Sequence, residues 1–173
     1  MQWRIYDKLQ EKDHSTGLCG FGERLGALVT KLMSPKIKIV SSLDDTLIES
    51  DGAIDCFGLA SGPYPKFPTD LQPIATAVLC QSSGKCEIEE NVFEDRFSYI
   101  SQLQKMGAEI SVVGGRAIIS GVRLQGTNVE ATDLRGGAGL VVAALNARGT
   151  SCIGGLEYID RGYEKIENIF SLC

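Results

Sequence analysis

Histidine is almost missing from this chain. His14 is the only one in 173 residues, and the six cysteines (Cys19, Cys56, Cys80, Cys86, Cys152 and Cys173) include no C-x-x-C pair. Zinc needs closely spaced thiolates or imidazoles, so the pattern offers no metal site, and no cofactor is expected. There is no basic cluster and the net charge is −5, which argues against nucleic acid or an anionic membrane as a partner. No apolar run approaches the ~20 residues a bilayer crossing needs. The first residues, Met1 to Lys8, lack the apolar core of a signal peptide. The expected setting is the reducing cytosol. There Cys80, Cys86 and Cys152, each in an apolar run, read as buried thiols that behave as small hydrophobes.

What is present is the balance of a soluble globular domain, with 43% apolar and 23% charged residues. Its most constrained stretch is Pro63-Tyr64-Pro65-Lys66-Phe67-Pro68, with three prolines in six residues. Each proline fixes its own φ and biases the preceding residue away from helix, so this is an extended arm. It leads into an apolar helical run, 70–82, with Thr69 and Asp70 at the junction, where a side-chain oxygen could cap free N–H groups. Earlier, apolar residues at 25, 28, 29 and 32 give a helix over 23–33. Alternation from Lys36 to Val40 and the run 46–49 read as a hairpin turning at Asp44-Asp45. Later come a strand at 85–89, a helix at 98–106 with Ile100, Leu103 and Met106 on one face, and a hairpin at 110–113 and 117–119 through Gly114-Gly115. A helix over about 133–146, a strand at 151–153 and a last helix from near Gly162 complete the order.

Two halves of the sequence match. Thr69-Asp70-Leu71-Gln72 opens one helix and Thr132-Asp133-Leu134-Arg135 the other, and each leads through a turn and a strand to an acid-arginine-aromatic cluster, Asp95-Arg96-Phe97 or Asp160-Arg161-Gly162-Tyr163. The paired aspartates are 63 residues apart and the paired arginines 65, so the copies differ by two residues. A repeat of the form helix–strand–helix–strand–strand places equivalent positions at equivalent points of the fold. Asp70, Arg96, Asp133, Arg135 and Arg161 are therefore expected on one rim. Arginine forks suit phosphate or carboxylate, and an aspartate among them could take a proton from a hydroxyl or hold a sugar hydroxyl. Plainer readings stand beside this one. Asp70 and Asp133 could be helix caps, Arg96 and Arg161 could pair with their neighbouring aspartates, and the tyrosines at 64, 99, 158 and 163 could be half-buried packing.

Four motifs, Tyr64-Pro65-Lys66-Phe67-Pro68-Thr69-Asp70-Leu71-Gln72, Phe93-Glu94-Asp95-Arg96-Phe97, Ala131-Thr132-Asp133-Leu134-Arg135 and Tyr158-Ile159-Asp160-Arg161-Gly162-Tyr163-Glu164, resemble the UDP-N-acetylglucosamine 1-carboxyvinyltransferase family of enolpyruvyl transferases. The match runs from about Gly62 to Ile169, with a weaker continuation back to about Phe21. The resemblance implies transfer of the enolpyruvyl group of phosphoenolpyruvate to the 3-hydroxyl of UDP-N-acetylglucosamine, the step that opens peptidoglycan synthesis. It also implies an α/β fold, an inside-out α/β barrel of repeats with helices inside and sheets outside. In those terms Asp70 corresponds to the proposed general base at the sugar hydroxyl. Val92 falls at a backbone contact to the nucleotide sugar, and Arg161 matches the arginine that binds phosphoenolpyruvate. Arg96, Asp133 and Arg135 match further charged residues of the cleft.

No cysteine here matches the family's catalytic one, which lies in a second domain along with a lysine-asparagine pair. The expected organisation is an unassigned segment 1–20 followed by a partial enolpyruvyl transferase-like domain over 21–173. Such a chain supplies one wall of a cleft, the missing domain coming from elsewhere, for instance a separate chain, and is expected to be inactive alone. Two other readings are a non-catalytic module that binds a partner or a nucleotide sugar, and a 5-enolpyruvylshikimate-3-phosphate synthase-like enzyme.

Overall fold

Strand pairing shows the repeat directly. In the computed structural model, which describes residues 5–6, 37–41, 46–50, 54–163 and 166, two short parallel ladders are each bridged by a helix. Strand β4 (Leu59–Ala60) runs parallel to β5 (Lys85–Glu89), and helix α1 (Gln72–Leu79) crosses between them. Strand β8 (Asn128–Glu130) runs parallel to β9 (Cys152–Gly154), and helix α3 (Leu134–Asn146) makes the same crossing. A parallel pair cannot be closed by a tight turn and needs a long crossover, which in both copies is a helix.

The first ladder grows into a four-stranded sheet, order β4-β5-β7-β6, by adding the hairpin β6 (Glu109–Val113) and β7 (Arg116–Ser120). Its turn is Gly114-Gly115, with φ of 54° and 77°. Two successive positive φ values match the twist of a hairpin, and glycine adopts them without steric cost. Alternation then sorts the faces. Cys86, Ile88, Ile110, Ala117 and Ile119 are buried, while Glu87, Ser111 and Ile118 face water. Arg116 lies on that wet face and reaches Glu87 at 3.2 Å and Glu89 at 3.5 Å. The expected hairpin near residues 37–49 is also present, as β2 (Ile37–Ser41) and β3 (Thr46–Ser50). A strand not foreseen, β1 (Ile5–Tyr6), joins the outer side of β3.

Inside the sheet lies α1, with Gln72, Pro73, Ala75, Thr76, Ala77 and Leu79 buried. It packs along α3, whose first turns hold Gly136, Gly137 and Gly139. A Cβ on Gly139 would stand 2.8 Å from the Pro73 carbonyl oxygen, and one on Gly137 would stand 2.6 Å from the Ile159 side chain. Glycines in a helix cost ~1 kcal/mol each, and here that cost admits a backbone-to-backbone approach no side chain would allow. Helix α2 (Ile100–Lys105) closes the layer through Ile100 and Leu103, with Met106 just beyond its end, all buried. Tyr99 ties it to α1: its hydroxyl donates to Thr76 Oγ1 at 2.8 Å, and Thr76 donates in turn to the Gln72 carbonyl at 2.9 Å. Burial raises the Tyr99 pKa above the ordinary phenol range, so the hydroxyl keeps its proton. The architecture is thus α/β with helices within and sheet without.

Several expectations need correction. Neither Thr69 nor Asp70 caps a helix. Thr69–Leu71 form a 3-10 turn, and α1 begins at Gln72 with no side-chain cap at either start. The second helix begins at Ile100 rather than 98, because residues 95–99 form turns first. A short helix, α4 (Leu156–Ile159), occupies a stretch to which the sequence assigns no element; Gly162 lies in a turn, and Ile166 is helical. Cys80 and Cys86 are buried, but Cys152 is exposed on a strand that, among the described residues, pairs only with β8. The helix expected at 23–33 and most of the chain after 163 lie outside the described residues.

The glycine contact predicts that Gly139→Ala costs about 1–3 kcal/mol in urea unfolding through overpacking. Gly58→Ala, whose Cβ would meet only the Glu87 carbonyl oxygen at an ordinary 3.7 Å, should be near neutral. Thiol labelling of the native chain at pH 8, read by peptide mapping, should find Cys152 modified well before Cys80. Burial, then the neighbouring Cys86, pushes the Cys80 thiol up from 9.0 to about 12. Because its folded pKa lies above the unfolded one, Cys80 contributes stability that is complete below pH 9 and lost as pH rises toward about 12.

Candidate active site

The proline arm is pinned at both ends before it reaches the site. Gly62 N–H donates to the Phe67 carbonyl at 3.0 Å, Lys66 N–H to the Pro63 carbonyl at 3.0 Å, and the Phe67 ring is buried. Between them Tyr64-Pro65 is a cis peptide, and Tyr64 stands in solvent. The arm then delivers Thr69 and Asp70 to the tip of α1, beside the tip of α3.

Asp70 is held there in a fork of two arginines from different repeats. Its Oδ1 accepts from Arg96 Nη2 at 2.7 Å and its Oδ2 from Arg135 Nη2 at 2.9 Å. The Asp70 side chain is 51% exposed while those of Arg96 and Arg135 are 17% and 32% exposed, so the cations are seated and the carboxylate faces out. Arg96 also donates through Nε to Thr69 Oγ1 at 3.1 Å and lies over the Phe93 ring, 4.8 Å from its centroid. Arg135 donates through Nη1 to the Tyr163 hydroxyl at 3.2 Å. That bond, against a cost of burial and with Asp70 alongside, raises the Arg135 pKa beyond its already high value. Both guanidinium groups are therefore aimed by neighbours other than Asp70.

Asp133 does the work that a cap does. Its Oδ1 accepts from the N–H groups of Arg135 at 3.0 Å and Gly136 at 2.8 Å, opening α3. This fixes the backbone of Arg135 but sets no bond between Asp133 and the fork. Val92 is exposed on the turn after β5, and its N–H is taken by Glu90 Oε1 at 2.9 Å, so a backbone contact from Val92 to a ligand would use its carbonyl. Arg161 lies in the turn after α4, its guanidinium 5.2 Å from the centre of the Tyr158 ring rather than on Asp70. It belongs to the same turn as Tyr163, which bonds Arg135. Among the expected residues, then, Asp70, Arg96 and Arg135 touch, Asp133 stands one bond away, and Val92 and Arg161 flank them.

Three contributors were not expected as site residues: Glu90, Phe93 and Tyr163. Phe93 and Tyr163 stand in the motifs quoted above, Tyr163 being read only as packing; for Glu90 the signal is that Cys86, Ile88 and Glu90 share the inward parity of a strand, where an acid is out of place.

These features coincide with a known family. A family model described as EPSP synthase (3-phosphoshikimate 1-carboxyvinyltransferase) matches residues 23–170. The chain belongs to that enolpyruvyl transferase family. Its relatives include proteins named UDP-N-acetylglucosamine 1-carboxyvinyltransferase from Clostridium botulinum, 40% identical over 149 residues, covering 86% of this chain and 36% of the relative. The protein of the same name from Desulfofundulus thermocisternus is 42% identical over 144 residues, covering 83% of this chain and 59% of the relative. The chain thus spans between about a third and three fifths of the length of these enolpyruvyl transferases. The fold is that of the enolpyruvyl transferase NikO from Streptomyces tendae, with TM-score 0.75 and 21% identity over 87% of this chain and 34% of that one.

The exposure of the fork predicts a split between two aspartates. Asp70→Asn should change unfolding stability by no more than ~1 kcal/mol, because a solvated ion pair is screened. Asp133→Ala should cost about 0.5–2 kcal/mol as a lost cap. Urea unfolding of both variants checks it, and the reverse order would contradict the assignment of the cap.

Proposed function

We propose that this chain forms one wall of a UDP-N-acetylglucosamine 1-carboxyvinyltransferase, which moves the enolpyruvyl group of phosphoenolpyruvate to the sugar 3-hydroxyl and releases phosphate. The single observation behind the proposal is the outward carboxylate of Asp70 in its fork, held by side chains from two repeats. Each carboxylate oxygen has two lone-pair directions, so accepting one guanidinium hydrogen leaves a direction for a hydroxyl hydrogen. Asp70 is then the general base for the sugar hydroxyl. Arg96 and Arg135 hold it in one orientation. Arg161, whose guanidinium rests on an aromatic face and not in an ion pair with Asp70, receives the anionic groups of phosphoenolpyruvate. Val92 contacts the nucleotide sugar through its carbonyl, and Asp133 acts through the backbone of Arg135.

Residues 21–173 are read as the partial domain, and the cysteine-bearing wall is supplied from outside these residues. The step belongs to cell-wall synthesis and is placed in the cytosol. The relatives at about 40% identity favour the amino sugar as acceptor. The description of the matching family model keeps shikimate 3-phosphate as the alternative to test.

Calorimetry of the pure chain with UDP-N-acetylglucosamine should show binding, and Asp70→Asn should weaken it roughly tenfold or more, the worth of a hydrogen bond to a charged group. Shikimate 3-phosphate should not bind. Phosphate release with both substrates should stay at background, since proton acceptor and donor must share one closed site. Binding of shikimate 3-phosphate in place of the sugar nucleotide, or full turnover by the chain alone, would overturn the reading.

A further inference from the structure

The side chain that organises the rim most widely bonds to none of its arginines or to Asp70. Glu90 comes just after β5 at the inward parity of Cys86 and Ile88, and it is 8% exposed. An acid there must be compensated, and among the described residues its donors are all neutral. Thr69 Oγ1 donates to the carboxylate, 3.0 Å from each oxygen. Oε1 also accepts the N–H of Val92 at 2.9 Å and of Phe93 at 3.2 Å. Thr69 Oγ1 has given its only hydrogen to Glu90, so it can meet Arg96 Nε–H at 3.1 Å only as an acceptor. The direction of the whole chain of bonds is thereby fixed, from Arg96 to Thr69 to Glu90.

The consequence is geometric. The arm that carries Asp70 and the turn that carries Val92, Phe93 and Arg96 come from two separate stretches of chain. The next residue reinforces the junction, since Asn91 N–H donates to Ser61 Oγ at 2.9 Å and ties the same turn to the start of the arm. Arg96 meanwhile stacks on Phe93. We infer that Glu90 is a positioning residue of the site, a buried carboxylate that sets the arm and the 92–93 turn at one mutual angle and through Thr69 aims Arg96 at Asp70. The inference concerns this chain's own geometry. Its expected effect on ligand affinity rests on the function proposed above.

Two variants of similar shape separate this from a general loss of packing. Glu90→Leu removes every acceptor at that position, whereas Thr69→Val removes the arm's link to Glu90 and the acceptor of Arg96 Nε–H but leaves the bonds of Glu90 to the 92–93 turn. Amide exchange followed by NMR on the full chain should speed at Val92 and Phe93 by tenfold or more in Glu90→Leu and by less than twofold in Thr69→Val. Exchange at Arg96 Nε–H should quicken at least fivefold in both, and Thr69→Ser should restore it. Unchanged exchange at Val92 and Phe93 in Glu90→Leu, or an equal rise there in both variants, would overturn the two-armed role. In calorimetry with UDP-N-acetylglucosamine, Thr69→Val should weaken binding at least fivefold while Thr69→Ser does not. If the unaltered chain fails to bind the sugar nucleotide, the functional reading falls and the exchange pattern alone decides the role of Glu90. If the unaltered chain binds and Thr69→Val binds equally well, the positioning role falls and the function stands.

Discussion

The contact on which the rest depends is the seating of α3 against α1 at Gly139 and Pro73. A Cβ at Gly139 would stand only 2.8 Å from the Pro73 carbonyl oxygen, so at this point the helix backbones meet with no room for a side chain. Their N-terminal ends then sit side by side, and each end carries a charged group by virtue of the repeat: Asp70 just before α1, Arg135 in the first turn of α3. An ion pair of 2.9 Å between residues 65 apart in sequence comes from helix packing and from nothing local. Any substitution that spreads the helices by a fraction of an ångström acts first on that distance. This is how a packing contact that carries no charge comes to govern a polar site.

Around that frame the charges divide their work. Buried Glu90 and half-buried Asp133 direct their lone pairs to backbone N–H groups and a hydroxyl, which stabilises turns and caps. Asp70 faces outward and accepts only guanidinium hydrogens. The same carboxylate chemistry thus yields two structural residues and one available one, and the difference lies in burial and in donor type. The repeat did not copy roles along with residues. Asp70 and Asp133 occupy matching places in the sequence, yet one caps its helix and the other does not. The proline arm holds the chain before α1 in a 3-10 turn, and no equivalent arm precedes α3.

Much of this was legible in the residues. Alternation fixed the strand at 85–89 and the hairpin around Gly114-Gly115, since both depend on side-chain parity and turn chemistry that operate over a few residues. The internal match between the motifs at 69 and 132 foretold the paired crossovers. The failures share a cause as well. Cys152 looked buried because its neighbours are apolar, but among the described residues its strand pairs with β8 alone. Thr69 looked like a cap because an apolar helical run starts right after it, whereas its partners, Glu90 and Arg96, are 21 and 27 residues away. The glycines of α3 cost helix stability locally, and what offsets that cost at Gly139 is the backbone of another helix. Local rules read local structure, and the site is assembled almost wholly from contacts between distant segments.

The support beneath the fork explains why an exposed cluster can hold its shape. A solvated ion pair contributes little free energy, and ordering an arginine side chain costs up to about 2 kcal/mol of conformational entropy. Here most of that ordering is done by other contacts: Thr69 and the Phe93 ring for Arg96, the Tyr163 hydroxyl for Arg135. Asp70 accordingly meets two cations already in place. A guanidinium offers five N–H donors, and Arg96 uses Nε and Nη2 for these bonds while Arg135 uses Nη1 and Nη2. Hydrogens remain on both, so an anionic or hydroxyl-bearing ligand can be added to the fork without breaking it. A site prepared this way has little further side-chain entropy to lose.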